Sequence, residues 1–225
     1  MLKALSDNFL LRRLHSLSGV VPVGLFVCFH LFANSTAIFS ADNYNLIINF
    51  LRSIPFLHYV EWAAIFGPLL FHAVYGIIIA SSAKPNHVKY GNSENWRYFM
   101  MRATGMIAFV YILFHIFQFR LVEELDYNYM AKSMVSMQDI PYLPAIPFIN
   151  PFSVYWFYII GIVSITFHFA NGVWSFCITW GITVSKESQK AVAILSFVIF
   201  AVLTFLGVAT TNHLADAGAQ MIAAG

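Results

Sequence analysis

Four histidines, His30, His72, His115 and His168, each follow a phenylalanine, and each lies in a different long apolar run. An ionisable side chain is expensive in hydrocarbon, so an intramembrane histidine marks a functional site by default. Neutral imidazole is the commonest metal ligand of proteins, and haem iron takes axial side chains from opposite sides of its plane. One histidine on each of four helices supplies two such pairs, which predicts two haem centres with two imidazoles apiece. Taken singly, each histidine also has a plainer role as a buried hydrogen-bonding residue that ties helices together.

The elements that must position these rings follow from hydropathy. A hydrocarbon core about 30 Å thick needs about 20 apolar residues per helix, and runs of that length cover 17–38, 59–83, 101–121, 152–180 and 191–212. The 225 residues are 60% hydrophobic and 10% charged, against about 45–50% and 25% in soluble domains. The expected fold is an all-α integral membrane protein, a single membrane domain over 1–225. Four of its five transmembrane helices would form a di-haem bundle. Arg12 and Arg13 before the first run resemble a signal peptide, but that run exceeds the usual apolar region of about 7–15 residues and carries one of the histidines. It is read as mature helix one.

Positive charge sets the orientation. Lys3, Arg12, Arg13, Lys84, Lys89, Arg97, Arg102, Lys186 and Lys190, nine of the twelve basic residues, fall on one side. Arg52, Arg120 and Lys132 fall on the other, with Asp42, Glu61, Glu123, Glu124, Asp126, Asp139 and Asp216. The N-terminus is therefore expected in the cytoplasm and the C-terminus outside. The net charge of +2 sums two unlike faces, so it offers no case for nucleic acid, whereas the basic face suits anionic membrane lipid or an acidic partner. Cys28 and Cys177 lie within spans and form no Cys-x-x-Cys-His attachment of covalent haem. The longest connection, 122–151, holds Pro141, Pro144, Pro147, Pro151, Met130, Met134 and Met137. It is apolar enough for an outer lid, with a short helix near 127–137, and 41–58 has room for a second interfacial helix. Trp62, Trp96, Tyr155, Trp156 and Trp180 fall near span ends, as interface anchors do.

A porphyrin needs room between helices. Gly76 follows His72 by four residues and Gly172 follows His168 by four, so each shares a face with its histidine; Gly19, Gly24 and Gly105 are further candidates. Glycine also serves close helix approach in many membrane bundles. Depth suggests the pairing. At a rise of about 1.5 Å per residue, His115 lies roughly 8 Å from Arg120 and His30 roughly 15 Å from Ser40, while His72 is about 17 Å from Glu61 and His168 about 26 Å from Pro151. His30 with His115 would hold an outer haem iron, and His72 with His168 an inner one. His15, His58, His87 and His213 sit at span ends or in loops and are expected to be solvated.

At these residues the chain resembles the cytochrome b subunit of succinate:quinone oxidoreductases, the succinate dehydrogenases and fumarate reductases, in its five-helix, two-haem form. The resembling segments are Arg13-Leu14-His15-Ser16-Leu17, Gly19-Val20-Val21-Pro22-Val23-Gly24, Pro68 through His72-Ala73-Val74-Tyr75-Gly76, and Arg102-Ala103-Thr104-Gly105. His168-Phe169-Ala170-Asn171-Gly172-Val173-Trp174-Ser175-Phe176 and Thr179-Trp180-Gly181-Ile182-Thr183 continue the match. The likeness is nearest to Bacillus-like succinate dehydrogenases and weakens in 122–151.

The resemblance implies a membrane anchor of the bacterial inner (cytoplasmic) membrane, reached by electrons through an iron-sulfur subunit docked with a flavoprotein subunit on the cytoplasmic face. It implies two haem b groups, with His30, His72, His115 and His168 as axial ligands, and menaquinone or another quinone as substrate near the outer haem. This chain would serve as the electron-transfer and quinone-reactive subunit and carry no succinate or fumarate site. Glu61 is the candidate for proton exchange with quinone, and Arg120 for orienting it. Arg13, His15, Ser16, Ser18 and Arg102 cluster where the inner haem would present its carboxylates, although positive-inside anchoring accounts for the arginines equally well. One departure concerns protons. Some fumarate reductases of the family have a glutamate two residues before the last ligand, and here that residue is Thr166. Electron transfer alone would then charge the membrane, at about 2.3 kcal/mol per charge for each 100 mV.

Three other functions share parts of this pattern. They are the di-haem anchor of a formate dehydrogenase or hydrogenase, a transporter binding protons or metal ions through histidine, and a purely structural anchor. The transporter would need acidic partners within the membrane, and none of the ten carboxylates falls in a span centre.

Overall fold

The computed structural model describes residues 6–82, 92–120, 125–135 and 151–224. Lys3, Lys84, His87, Lys89, Glu123, Glu124, Met137, Asp139, Pro141, Pro144 and Pro147 lie outside the described residues, as does most of the expected lid. Among the described residues the chain is all helix and turn. Its helices are α1 (Phe9–Ile38), α2 (Ala41–Arg52), α3 (Leu57–Ser82), α4 (Ser93–Phe119), α5 (Tyr127–Val135), α6 (Pro151–Thr179) and α7 (Lys186–Ala223). Five of them, α1, α3, α4, α6 and α7, are long and apolar enough to cross a membrane. Large apolar side chains such as Leu70, Phe197 and Phe205 are about two-thirds exposed (65%, 67% and 69%), which suits contact with lipid rather than water.

α1 and α7 outrun their apolar runs because caps, not hydropathy, set where they start. The Asn8 side chain accepts from Leu11 N–H at 3.0 Å and starts α1 at Phe9, well before residue 17. Ser185 and Ser188 exchange side-chain and backbone bonds at 3.1 and 3.2 Å, a reciprocal cap that starts α7 at Lys186. With 38 residues, α7 is about 57 Å long and carries His213 well inside it rather than at its end. At the far end of α6, Gly181 takes φ +71°, a conformation costly for a side chain, and Ile182 N–H returns to Cys177 O at 2.9 Å.

Two spanning helices contain π turns, Gly19–Val23 in α1 and Trp62–Phe66 in α3. Pro22 lies inside the first and Pro68 just beyond the second. Proline has no N–H for the i−4 ladder, and a widened turn absorbs the missing bond.

The contacts divide the chain into two compact units. One comprises Met1–Cys28, Phe56–Phe109 and Ser164–Val202; the other comprises Phe29–Pro55, Val110–Val163 and Leu203–Gly225. In the first, the N-terminal part of α1 is fastened to the end of α6. Arg13 donates to Thr179 O, one of the orphan carbonyls of a helix terminus, and Trp180 Nε1 donates to Ser16 Oγ at 2.9 Å. In the second, α2 packs on α5; Ser40 caps α2 by accepting from Asn43 N–H at 3.0 Å. The free cysteines Cys28 and Cys177 are half-buried.

Candidate functional site

In the second unit, α1 carries His30 and α4 carries His115, with ring centres 5.6 Å apart and planes at 90°. Tyr111 stacks on His115 at 5.7 Å and Phe119 meets it edge-on at 5.1 Å. Nδ1 of His115 lies 3.3 Å from the Tyr158 hydroxyl, which in turn donates to Gln118 Oε1 at 2.5 Å. Gln118 is fully buried.

In the first unit, α3 carries His72 and α6 carries His168, with ring centres 6.0 Å apart and planes at 86°. Nδ1 of His72 bonds the carbonyl of His15 at 2.9 Å, and Nδ1 of His168 bonds that of Met101 at 3.0 Å. A carbonyl only accepts, so both Nδ1 atoms carry the proton and each Nε2 keeps its lone pair.

Two imidazoles on opposite sides of one metal, each with a metal–nitrogen bond of about 2 Å, have ring centres about 6 Å apart. Both pairs have that spacing. Each supplies only two donors, and among the described residues no three His, Cys, Asp or Glu side chains converge. Such a pair suits a metal that brings its own equatorial ligands, as porphyrin iron does. The first unit also has hollows that a Cβ would fill. A side chain at Gly19 would lie 2.3 Å from His72 Cε1, and one at Gly105 would lie 2.9 Å from His168 Cε1.

Those glycines come from helices other than the histidine's own, Gly19 from α1 and Gly105 from α4. A Cβ at Gly76 would meet His15 Cε1 at 3.1 Å, and one at Gly172 would meet only Met101 Cε at 3.6 Å. The four-residue spacing places a glycine on its histidine's face, but a ligand ring projects away from its own helix, and clearance is needed on the helix it faces. His15 is likewise not a solvated span-end residue. With α1 starting at Phe9, its ring stacks on His72 at 4.1 Å and 11°, and its Nδ1 is buried with no hydrogen-bond partner among the described residues.

The other candidates have local bonds. Besides bonding Thr179, Arg13 lies over Phe9 and Trp180, at 4.9 and 5.5 Å from their ring centres. Ser16 Oγ donates to Arg13 O and Ser18 Oγ to His15 O, both at 3.0 Å. Arg102 Nε turns back to Tyr98 O at 3.2 Å. Glu61 is half-buried where α3 enters its π turn, and Arg120 is exposed just past α4. Thr166 is buried. His58 is exposed, whereas His213 Nε2 pairs with Tyr127 OH at 2.9 Å.

Tyr158, Gln118 and Ser133 escaped the sequence reading. The available signal was Gln118 itself, an amide inside an apolar run three residues after a histidine, and therefore on that histidine's side of the helix.

The family described as succinate dehydrogenase/fumarate reductase transmembrane subunit matches residues 82–206. The succinate dehydrogenase cytochrome b558 subunit of Bacillus subtilis (strain 168) is 37% identical over 200 residues, which cover 89% of this chain and 94% of that protein. With a family match over more than half its length and a relative aligned nearly end to end, this chain belongs to the transmembrane subunits of succinate dehydrogenases and fumarate reductases.

Proposed function

We propose that the chain holds two haem b groups in a four-helix bundle, His30 and His115 ligating an outer iron and His72 and His168 an inner one. It carries electrons between a flavoprotein and iron-sulfur subunit pair and a membrane quinone, menaquinone in the first instance. The observation that supports this best is the matched spacing of the two imidazole pairs, with three of the four rings turning Nδ1 to a neighbouring oxygen. Bound haem supplies a one-electron iron couple whose potential depends on axial ligands, burial and hydrogen bonding.

The residues of this chain hold, orient and shield. The His15 and Met101 carbonyls keep the inner ligands in the tautomer that presents Nε2. Arg13, His15, Ser16, Ser18 and Arg102 are assigned to the carboxylates of the inner haem, Glu61 to proton exchange with quinone, and Arg120 to its orientation. In this reading the protein lies in the bacterial inner membrane with its N-terminus in the cytoplasm and its C-terminus outside. The basic face meets the soluble subunits and anionic lipid.

Pyridine haemochrome assay and reduced-minus-oxidised spectra of the purified protein test the proposal. Two haems per chain are expected, falling to one when any of the four histidines is replaced by leucine. A colourless protein, or four leucine variants that keep both haems, would overturn it.

A further inference from the structure

Near His115 the buried polar groups form one directed chain. Gln118 follows His115 on α4, and its amide nitrogen Nε2 lies 3.1 Å from the carbonyl of Ser133 on α5. A carbonyl accepts and cannot donate, so nitrogen must face Ser133 and Oε1 must face Tyr158. The phenol has a single proton, and at 2.5 Å from Oε1 it is directed there. Toward His115 Nδ1, 3.3 Å away, the same oxygen can then only accept. Nδ1 therefore carries the imidazole proton and Nε2 is left for metal. Each assignment forces the next, and the first is set by backbone.

The backbone carbonyl that starts the chain is itself held firmly. Although α5 has nine residues, Tyr127, Met130, Ala131, Ser133 and Met134 are buried. Asn45 Oδ1 of α2 accepts from Tyr127 N–H at 3.1 Å, Tyr129 OH donates to Gln118 O at 2.9 Å, and Tyr127 OH pairs with His213 of α7. Gly218 of α7 runs so close that a Cβ there would lie 2.1 Å from Ala131 O. By contrast His72 and His168 find their Nδ1 acceptors directly in main-chain carbonyls. At His115 the acceptor is a side chain, which substitution can remove.

We infer that Tyr158 and Gln118 are positioning residues for the outer haem, which fix the tautomer of His115 and make its ring more electron-rich, with α5 as the anchor of that arrangement. An acceptor on the outer N–H of a ligating histidine raises its basicity, and a more basic ligand favours ferric iron. The pair thus keeps the outer haem at a lower potential than an unassisted imidazole would. This inference rests on the proposal that His30 and His115 share one haem.

Optical redox titration of the purified, haem-loaded protein tests it, the outer component being the one that His115→Leu removes. Tyr158→Phe should shift that component to higher potential, and Gln118→Met should shift it the same way by less. The inner component should stay in place in both. Tyr44→Phe, a buried phenol of the same unit outside this chain of bonds, should move neither. If Tyr158→Phe loses the outer haem, Gln118→Met decides, because it leaves the phenol in place: an upward shift supports the inference and an unchanged potential overturns it. Wild-type potentials in both variants with two haems bound also overturn it, whereas a wild-type protein without haem refutes the haem assignment itself.

Discussion

The rings of His15 and His72 lie nearly parallel, 11° between planes and 4.1 Å between centres, while the carbonyl of His15 accepts from Nδ1 of His72 at 2.9 Å. One residue thus holds the proposed ligand by backbone and by side chain. The backbone bond survives any substitution except proline-like disruption of the helix, whereas the ring nitrogens are removed by exchange for a carbocyclic ring. His15 Nδ1 is buried with no partner among the described residues, and a buried unmatched polar atom costs about 1–3 kcal/mol, which a haem carboxylate at that nitrogen would offset. His15→Phe keeps the stacked shape and deletes the nitrogen. Both haems should remain, with the inner one at lower potential because its carboxylate has lost a donor. An inner potential equal to that of the wild type would assign His15 to packing alone.

Gly19 makes a sharper test of clearance. A Cβ there would lie 2.3 Å from His72 Cε1 and 2.7 Å from its Nδ1, and that ring cannot swing aside without losing the stack and the bond just described. Gly19→Val should therefore drop haem content from two per chain to about one, the survivor being the component that His115→Leu removes. Gly172→Ala should leave both haems, since its new methyl group meets only a flexible methionine end at 3.6 Å. Equal haem loss in the two variants would mean that glycine serves helix approach in general rather than space for a cofactor.

Five spans and four ring-bearing positions were legible in the sequence because both are one-dimensional signals, apolar run length and a repeated Phe-His pair. Contacts between helices were not. Spacing names Gly76 and Gly172 first and Gly19 and Gly105 only as further candidates, because it does not show that Gly19 faces His72 and Gly105 faces His168 from other helices. Hydropathy puts His15 at a span end because the apolar run starts only at residue 17, whereas the Asn8 cap begins the helix at Phe9. Gln118 and Tyr158 are separated by 40 positions, and nothing along the chain announces that one phenol joins them to His115.

Alkaline pH should loosen the packing of α2. Burial pushes the Tyr44 phenol well above its usual value near 10, and burial also raises that of Tyr127, whose ring meets Tyr44 edge-on at 6.3 Å. The folded protein then binds these protons more tightly than the unfolded chain does. Their contribution to stability is complete below about pH 10 and is lost as pH rises through the unfolded value toward the raised folded one. Thermal melts in detergent should be flat on this account from pH 7 to 9 and fall above about pH 10, with a shallower fall in Tyr44→Phe. A variant as sensitive to alkali as the wild type would place the labile groups elsewhere.

Arg97 fastens α4 to α6 and α7 within the first unit through contacts that no other cation can reproduce. Its guanidinium carbon lies 3.9 Å from the Trp174 ring centre, Nε donates to Asn171 Oδ1 at 2.7 Å, and Nη2 reaches Ser196 Oγ at 3.4 Å. Asn171 Nδ2 answers with a bond to Arg97 O at 3.1 Å, and Ser196 Oγ donates to Ala170 O at 2.6 Å. A charged hydrogen bond contributes about 1.5–3 kcal/mol and a cation over an indole about 0.5–2 kcal/mol, so Arg97→Leu should cost about 3 kcal/mol and strand the buried Asn171. Arg97→Lys keeps the charge yet loses the planar fork and the flat stack. It should recover less than half of the loss if geometry governs, and nearly all of it if charge alone matters. Melting temperatures of the three proteins in one detergent, read beside unchanged potentials of both haems, separate those outcomes.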